Sequence, residues 1–134
     1  MALQAKYFEE RERALLGERY AEYYAAPSEE AARGVTVNRL RCTPEEFARL
    51  AGLALKPSPF CAEGFAVEEP DFKPGRHPYH HGGAFYSQEP SASAPAALLD
   101  VQPGMKVLDM CAAPGGKSSQ LAAAPQGQGL LGSN

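Results

Sequence analysis

The sequence has 134 residues and a formal net charge of -3, from 13 lysines and arginines against 16 aspartates and glutamates. Bulk charge therefore does not indicate a nucleic-acid partner, and a basic surface would have to be local. Hydrophobic residues make up 44% of the chain, which excludes wholesale disorder. The sequence shows neither an apolar signal segment nor the about 18 consecutive apolar residues that cross a bilayer. Its three scattered cysteines fit a reducing compartment, so we expect a cytoplasmic protein.

Helices are predicted for the first third of the chain. Apolar side chains recur there at spacings of four and seven, which place them on one helix face. Gly17 is expected to interrupt the helix. Beyond it, Tyr20, Tyr23 and Tyr24 recur at i, i+3 and i+4. We interpret this aromatic stripe as core packing, with stacking on nucleobases as the alternative.

The middle of the chain predicts a small α+β module in the order β-α-β-β. The β-branched, alternating run Gly34–Leu40 predicts a strand. Thr43 followed three residues later by Glu46 predicts a capping box, and the helix that it starts is expected to bury Phe47 and Leu50. Two further short strands are predicted near 53–55 and 64–67. A proline- and glycine-rich loop is predicted over 70–83.

The last third predicts the beginning of a parallel β-α-β unit. Residues 87–134 hold only 2 basic and 3 acidic groups, which is typical of a segment buried inside a larger domain. A brief strand near 84–86 comes first, followed by a helix over 90–99 that Pro95 is expected to kink or shorten. A strand over 106–110, a helix over 115–124 and a strand from residue 130 then complete the unit.

One string in this unit indicates chemistry, namely Cys111-Ala-Ala-Pro-Gly-Gly-Lys117, where the strand turns into the helix. The first turn of a helix has unpaired N–H groups and the positive end of the dipole. Gly115 and Gly116 would let a ligand approach the backbone, and Lys117 adds a positive charge. The string is typical of a site for a nucleotide, or for a nucleoside-like cofactor that carries a carboxylate.

Two other interpretations of the string stay open. A plain β-α turn with a glycine cap would need no ligand. A phosphate-binding loop matches at Gly116-Lys-Ser118, but Cys111 stands where that loop requires its leading glycine. Ala112, Ala113 and Pro114 also leave fewer flexible amides for a phosphate, so we favour the nucleoside-like cofactor.

The string and its surroundings resemble the bacterial Sun/Fmu-type RNA cytosine-5 methyltransferases. The segments that resemble this family are 86–93 and 107–121, and upstream segments at 15–20, 43–47 and 77–80 resemble its RsmF branch, which modifies 16S ribosomal RNA. The resemblance implies S-adenosylmethionine as cofactor and RNA as partner. The residues that it assigns to cofactor binding are Cys111, Ala112, Ala113, Pro114, Gly115, Gly116 and Lys117.

The resemblance also implies an α/β fold in two parts. Residues 1–83 would form an N-terminal helical and α+β region that docks RNA. Residues 84–134 would supply the first β-α-β of a Rossmann-like class I S-adenosylmethionine-dependent methyltransferase domain, left incomplete. Two parallel strands and one helix cannot cover both faces of a sheet, so we expect exposed apolar surface and poor stability in isolation unless another chain completes the unit.

The family methylates cytosine with the help of a cysteine thiolate that adds to carbon 6, which makes carbon 5 electron-rich enough to attack the methyl group. Its two working cysteines follow prolines, well after the cofactor turn. Here Cys42, Cys61 and Cys111 follow arginine, phenylalanine and methionine. The sequence therefore resembles the N-terminal portion of a longer enzyme, has no catalytic residue of its own, and is expected not to transfer methyl groups alone.

Other candidates have plainer interpretations. Cys111 could be a nucleophile, but we favour a small packed residue. His77, His80 and His81 lack metal-ligand spacing, which favours a loop that packs or touches RNA. Six basic residues could form a face for RNA phosphates or an ordinary solvated surface: Arg39, Arg41, Arg49, Lys56, Lys73 and Arg76. A stand-alone RNA-binding module and a phosphate-loop protein remain the alternative functions.

Overall fold

The computed structural model describes residues 2–25 and 32–134. The chain divides into two compact units, Met1–Glu30 and Ala31–Asn134. In the first unit, helix α1 spans Ala2–Leu16 and helix α2 spans Arg19–Ala25. Gly17 separates them with φ of +55°, in the left-handed region where glycine meets no steric penalty. The predicted helices and the predicted break are confirmed.

The tyrosine stripe of α2 does not pack into a core, so that interpretation is wrong. No side chain of α2 is buried, and Tyr23 and Tyr24 are 64% and 46% exposed. Tyr20 instead lies under the Arg13 guanidinium at 4.0 Å and beside the ring of Tyr24 at 4.6 Å. The stripe packs against itself because two short helices offer too little surface to enclose three aromatic rings.

The second unit begins with a four-stranded antiparallel sheet in the order β2-β3-β1-β4. Strand β1 spans Gly34–Val37, β2 spans Leu55–Pro57, β3 spans Gly64–Val67 and β4 spans Phe85–Ser87. Helix α3, Pro44–Leu50, follows β1 and packs on this sheet. The predicted β-α-β-β order is confirmed, and β4 extends the sheet beyond residue 83.

Aromatic and β-branched side chains form the core of this sheet. Phe47 is 1% exposed, and its ring meets those of Phe65 and Phe85 at 6.3 and 5.4 Å. The capping box of α3 is confirmed. The Thr43 hydroxyl accepts from the backbone N–H of Glu46, and the Glu46 carboxylate accepts from the backbone N–H of Thr43. The predicted burial of Leu50 is wrong: it is 52% exposed, because it ends the last turn of a short helix.

The loop predicted over 70–83 contains two short helical segments. A 3-10 turn spans Pro74–Arg76 and helix α4 spans Pro78–His81. Both place their proline at the start of the helix, where its missing N–H costs no hydrogen bond. The prolines in this region, which were expected to interrupt regular structure, therefore begin helical segments.

The C-terminal part is a parallel β-α-β unit. A 3-10 turn, Pro90–Ser93, leads into helix α5, Ala94–Leu98, so the predicted single helix is two segments. Strand β5, Lys106–Asp109, and strand β6, Leu130–Ser133, pair in parallel and are joined by helix α6, Gly116–Ala123. The predicted α/β fold class is confirmed.

A second, smaller core lies under this unit and leaves much apolar surface open. Ala96, Val101 and Leu121 are buried together. Leu98 of α5, Leu108 of β5 and Leu130 of β6 are 83%, 67% and 63% exposed. The expectation of exposed apolar surface is confirmed. Within the part of the chain that the structure describes, no helix combines the length and apolarity that crossing a bilayer requires.

Candidate functional site

The candidate site is the turn between β5 and α6. Strand β5 ends at Asp109 and α6 begins at Gly116. Gly115 precedes the helix with φ of +109°, a conformation that side chains with a Cβ rarely adopt. The amides of the first helical turn have no acceptor within the helix. Gly115 offers no side chain to cap them either. These amides fit an anionic group such as a carboxylate.

Asp109 fixes both ends of this turn. Its Oδ1 accepts a hydrogen bond from the backbone N–H of Cys111 at 3.1 Å. Its Oδ2 accepts one from the Ser118 hydroxyl at 2.6 Å. One carboxylate thus joins the end of β5, the start of the turn and the first turn of α6.

The antiparallel sheet supports the turn from the other side. The Tyr86 hydroxyl donates to the backbone carbonyl of Pro114 at 2.9 Å. The Gln88 side chain donates through Nε2 to the Thr36 hydroxyl at 2.7 Å. Gly116 lies so close to both side chains that an added Cβ would be 2.4 Å from Gln88 Oε1 and 3.1 Å from the Tyr86 ring. A larger residue at this position would have to displace the Gln88 side chain and press on the Tyr86 ring.

The seven residues assigned to the cofactor lie together around this turn. Gly116 is buried, Ser118 is half-buried, and Cys111, Pro114 and Lys117 are exposed. The backbone N–H of Ala112 donates to the Asn134 carbonyl at 3.1 Å, which ties the turn to the chain after β6. A helix start that carries an exposed ammonium fits an anionic, nucleoside-like ligand. Contact of these seven residues with a cofactor stays a prediction.

The sequence did not predict the roles of three residues of the site: Tyr86, Gln88 and Asp109. The signal for Asp109 was local, since an acid that ends a strand two residues before a turn can accept the next amides. The partners of Tyr86 and Gln88 lie 28 and 52 residues away in sequence, so no local pattern indicates them.

Two cavities flank α6 within the second unit. One, of about 220 Å³, adjoins the start of the helix and is lined by Asn38, His80, Gly116 and Ser119 among others. The other, of about 540 Å³, lies toward the end of the helix. Gln120 lines both, and its Oε1 is buried with no hydrogen-bond partner among the described residues. The smaller cavity places His80 beside the candidate turn.

The three cysteines are free and differ in environment. Cys111 is exposed, Cys42 is half-buried and Cys61 is buried. Burial, and then the nearby carboxylate of Glu46, raises the pKa of the Cys42 thiol. A raised pKa means less thiolate at neutral pH, so Cys42 is poorly suited to act as a nucleophile.

The histidines contribute to packing. His77 Nδ1 accepts from the backbone N–H of Tyr79 at 3.2 Å, which caps α4, and its Nε2 lies 3.1 Å from the Ala51 carbonyl. Because Nδ1 accepts, the ring proton is on Nε2 and donates to that carbonyl. Across residues 2–25 and 32–134, no cluster of three or more histidines, cysteines and acids could hold a metal ion.

The basic residues of the module are mixed with acids. Arg39 forms an ion pair with Glu63 at 3.2 Å. Lys73 and Arg76 line one shallow cavity together with two acids, Glu69 and Asp71. A continuous basic face over all six predicted residues stays a prediction.

Solved structures similar to this chain include a methyltransferase homologue. The chain superimposes on a methyltransferase homologue from Pyrococcus horikoshii with a TM-score of 0.74 and 33% sequence identity, over 96% of this chain and 43% of that one. The fold of this chain thus matches part of a methyltransferase homologue.

The particular family follows from the sequence. Residues 5–90 match the family described as the N-terminal domain of 16S rRNA methyltransferase RsmF, and the chain belongs to this family. The predicted resemblance to the RsmF branch is confirmed.

Two relatives show the extent of the match. The chain is 38% identical over 103 residues to the ribosomal RNA small subunit methyltransferase F of Shewanella amazonensis, covering 72% of this chain and 22% of the relative. It is 35% identical over 120 residues to the enzyme of the same name from Escherichia coli O157:H7, covering 84% of this chain and 25% of the relative. The chain spans about a quarter of the length of these curated relatives.

Proposed function

We propose that this chain provides the N-terminal region of an enzyme that methylates carbon 5 of cytosine in small-subunit ribosomal RNA, with S-adenosylmethionine held at the turn 111–117. The observation that carries the proposal is the turn itself, an uncapped helix start after a left-handed Gly115, in a chain whose residues 5–90 match the RsmF N-terminal domain. Ribosomal RNA as substrate also implies a cytoplasmic location.

The residues present fit the cofactor. Lys117 and Ser118 lie in the first turn of α6, so their amides can receive a carboxylate, and the exposed Lys117 side chain can approach the same charge. When bound, S-adenosylmethionine supplies a methyl group on a positively charged sulfonium. The small side chains of Ala112 and Ala113 keep the turn accessible to a group of nucleoside size.

The same proposal assigns RNA docking to residues 1–83. Exposed arginines at Arg41, Arg49 and Arg76 support it, because cations on such a surface neutralise RNA phosphates. RNA binding that needs no cofactor and persists without methyl transfer would instead favour a stand-alone RNA-binding module.

We also propose that the 134 residues alone do not methylate RNA. Attack on carbon 6 of cytosine requires a thiolate beside the bound base. Burial raises the pKa of Cys42, Cys61 is buried, and Cys111 lies in the turn that we assign to the cofactor rather than to the base. Methyl transfer to ribosomal RNA by the purified chain would contradict this.

Calorimetric titration tests the cofactor assignment. The chain is titrated with S-adenosylhomocysteine and, separately, with ATP. A second protein carries the chain extended by the region that follows it in the Escherichia coli relative. We expect heat with S-adenosylhomocysteine, stronger in the extended protein, and none with ATP. Heat with ATP alone in either protein would establish the phosphate-loop alternative and end the proposal.

A further inference from the structure

We propose that Tyr86 and Gln88 are positioning residues that set the shape of the turn 111–117 from outside the β-α-β unit. The inference rests on the proposed function for the identity of the ligand, but its contacts do not depend on that ligand. Tyr86 belongs to β4 and Gln88 follows it, so both extend from the antiparallel sheet to the start of α6.

Tyr86 acts through the Pro114 carbonyl. Its hydroxyl donates to that oxygen at 2.9 Å. The peptide between Pro114 and Gly115 is planar and trans, so its C=O and N–H point in opposite directions. By holding the carbonyl, Tyr86 directs the Gly115 N–H away from the sheet. It thereby orients a donor that stands next to the amides of the first helical turn.

Gln88 acts through contact with Gly116. Its Nε2 is held by the hydroxyl of Thr36, which is 5% exposed and lies in the middle of the sheet. Its Oε1 is therefore kept against Gly116, where an added Cβ would be 2.4 Å away. The Gln88 side chain thus packs directly against the first residue of α6. The two contacts fix the turn on both sides of Gly115.

The consequence is that ligand affinity depends on two side chains that act through the turn. A purely structural role would lower the stability of the whole unit. A positioning role changes the turn while the sheet stays intact. Amide hydrogen exchange separates the two, because the Ser119 N–H bonds to the Gly115 carbonyl at 2.9 Å and the Val37 N–H bonds to the Glu63 carbonyl within the sheet region at 2.9 Å.

The test compares Tyr86→Phe with Tyr79→Phe in the 134-residue chain. Tyr79 packs against the sheet core, and its hydroxyl makes no hydrogen bond to the described residues. For Tyr86→Phe we expect exchange of the Ser119 amide to rise about five-fold, the effect of one lost hydrogen bond. Exchange of the Val37 amide should stay unchanged. Tyr79→Phe should alter neither amide.

A second measurement is the affinity for S-adenosylhomocysteine, which Tyr86→Phe should weaken about five-fold and Tyr79→Phe should leave unchanged. If the Ser119 amide exchanges alike in both variants, or if the Val37 amide accelerates equally with it, the positioning role is overturned. If the unaltered chain and its extended form bind no S-adenosylhomocysteine, the proposed function fails, while the exchange measurement still decides the role of Tyr86.

Discussion

At the scale of single residues, the candidate site combines local and distant information. The glycine pair and Lys117 are contiguous, so their chemistry could be predicted from the sequence. The role of Asp109 could also have been predicted, because its partners, the Cys111 amide and the Ser118 hydroxyl, lie within nine residues of it in sequence. Tyr86 and Gln88 could not be predicted, since folding alone brings them to the turn.

Gly116 gives a test of close packing at this scale. We expect Gly116→Ala to lower the free energy of unfolding by about 1–3 kcal/mol, because the new Cβ would overlap Gln88 and the Tyr86 ring. Gly75→Ala is the matched control, since nothing lies within 4 Å of its added Cβ. Urea denaturation measures both. Equal stability of the two variants would show that the turn adapts freely.

The cysteines give a test that depends on pH. Because burial raises the pKa of Cys42, its thiolate forms at higher pH than that of an ordinary thiol. We expect iodoacetamide to modify the exposed Cys111 well before Cys42 at pH 7.5, and the rate at Cys42 to rise as pH increases further. Mass spectrometry of digested samples gives the order. Modification of Cys42 first would contradict the burial of its thiol.

At the scale of elements, the sequence was most informative where local chemistry decides structure. The capping box of α3 and the strand at Gly64–Val67 appear as predicted. Tertiary context decided the rest: Leu50 is exposed because helix α3 ends there, and the stripe of α2 packs on itself. The segment 70–83, predicted as a loop, contains two helical segments, because proline can start a short helix as well as end a long one.

The capping box can be tested with two neighbouring glutamates. Glu45 and Glu46 both lie in the first turn of α3, but only Glu46 accepts from the Thr43 backbone N–H, at 2.9 Å. We expect Glu46→Ala to destabilise the protein by about 0.5–1 kcal/mol more than Glu45→Ala, because it also removes that hydrogen bond. Thermal or urea unfolding gives the difference. A smaller effect at Glu46 would show that the box contributes nothing to stability.

At the scale of the whole molecule, the two cores differ in completeness. The antiparallel sheet encloses its aromatic residues, whereas the β-α-β unit has a small core and open apolar faces. The fold class and the order of elements could be predicted from patterning. The way β4 joins the sheet to the following unit could not, because it depends on pairing between segments about 50 residues apart.

This difference predicts unequal effects for two leucines of the β-α-β unit. Leu121 is 5% exposed and Leu108 is 67% exposed. We expect Leu121→Ala to lower the free energy of unfolding by about 2–4 kcal/mol and Leu108→Ala by less than about 0.5 kcal/mol. Denaturation followed by circular dichroism measures both. Comparable losses would mean that Leu108 is covered in solution, for example by association of chains.

The pairing of β4 with β1 has a practical consequence for dividing this protein. Strand β1 is flanked by β3 on one side and by β4 on the other. Cutting the chain after residue 83 would strip one flank of β1 and leave a row of backbone donors and acceptors open to pairing with neighbouring molecules. Such a truncated protein should aggregate, whereas one that continues through Ser93 would keep that edge closed.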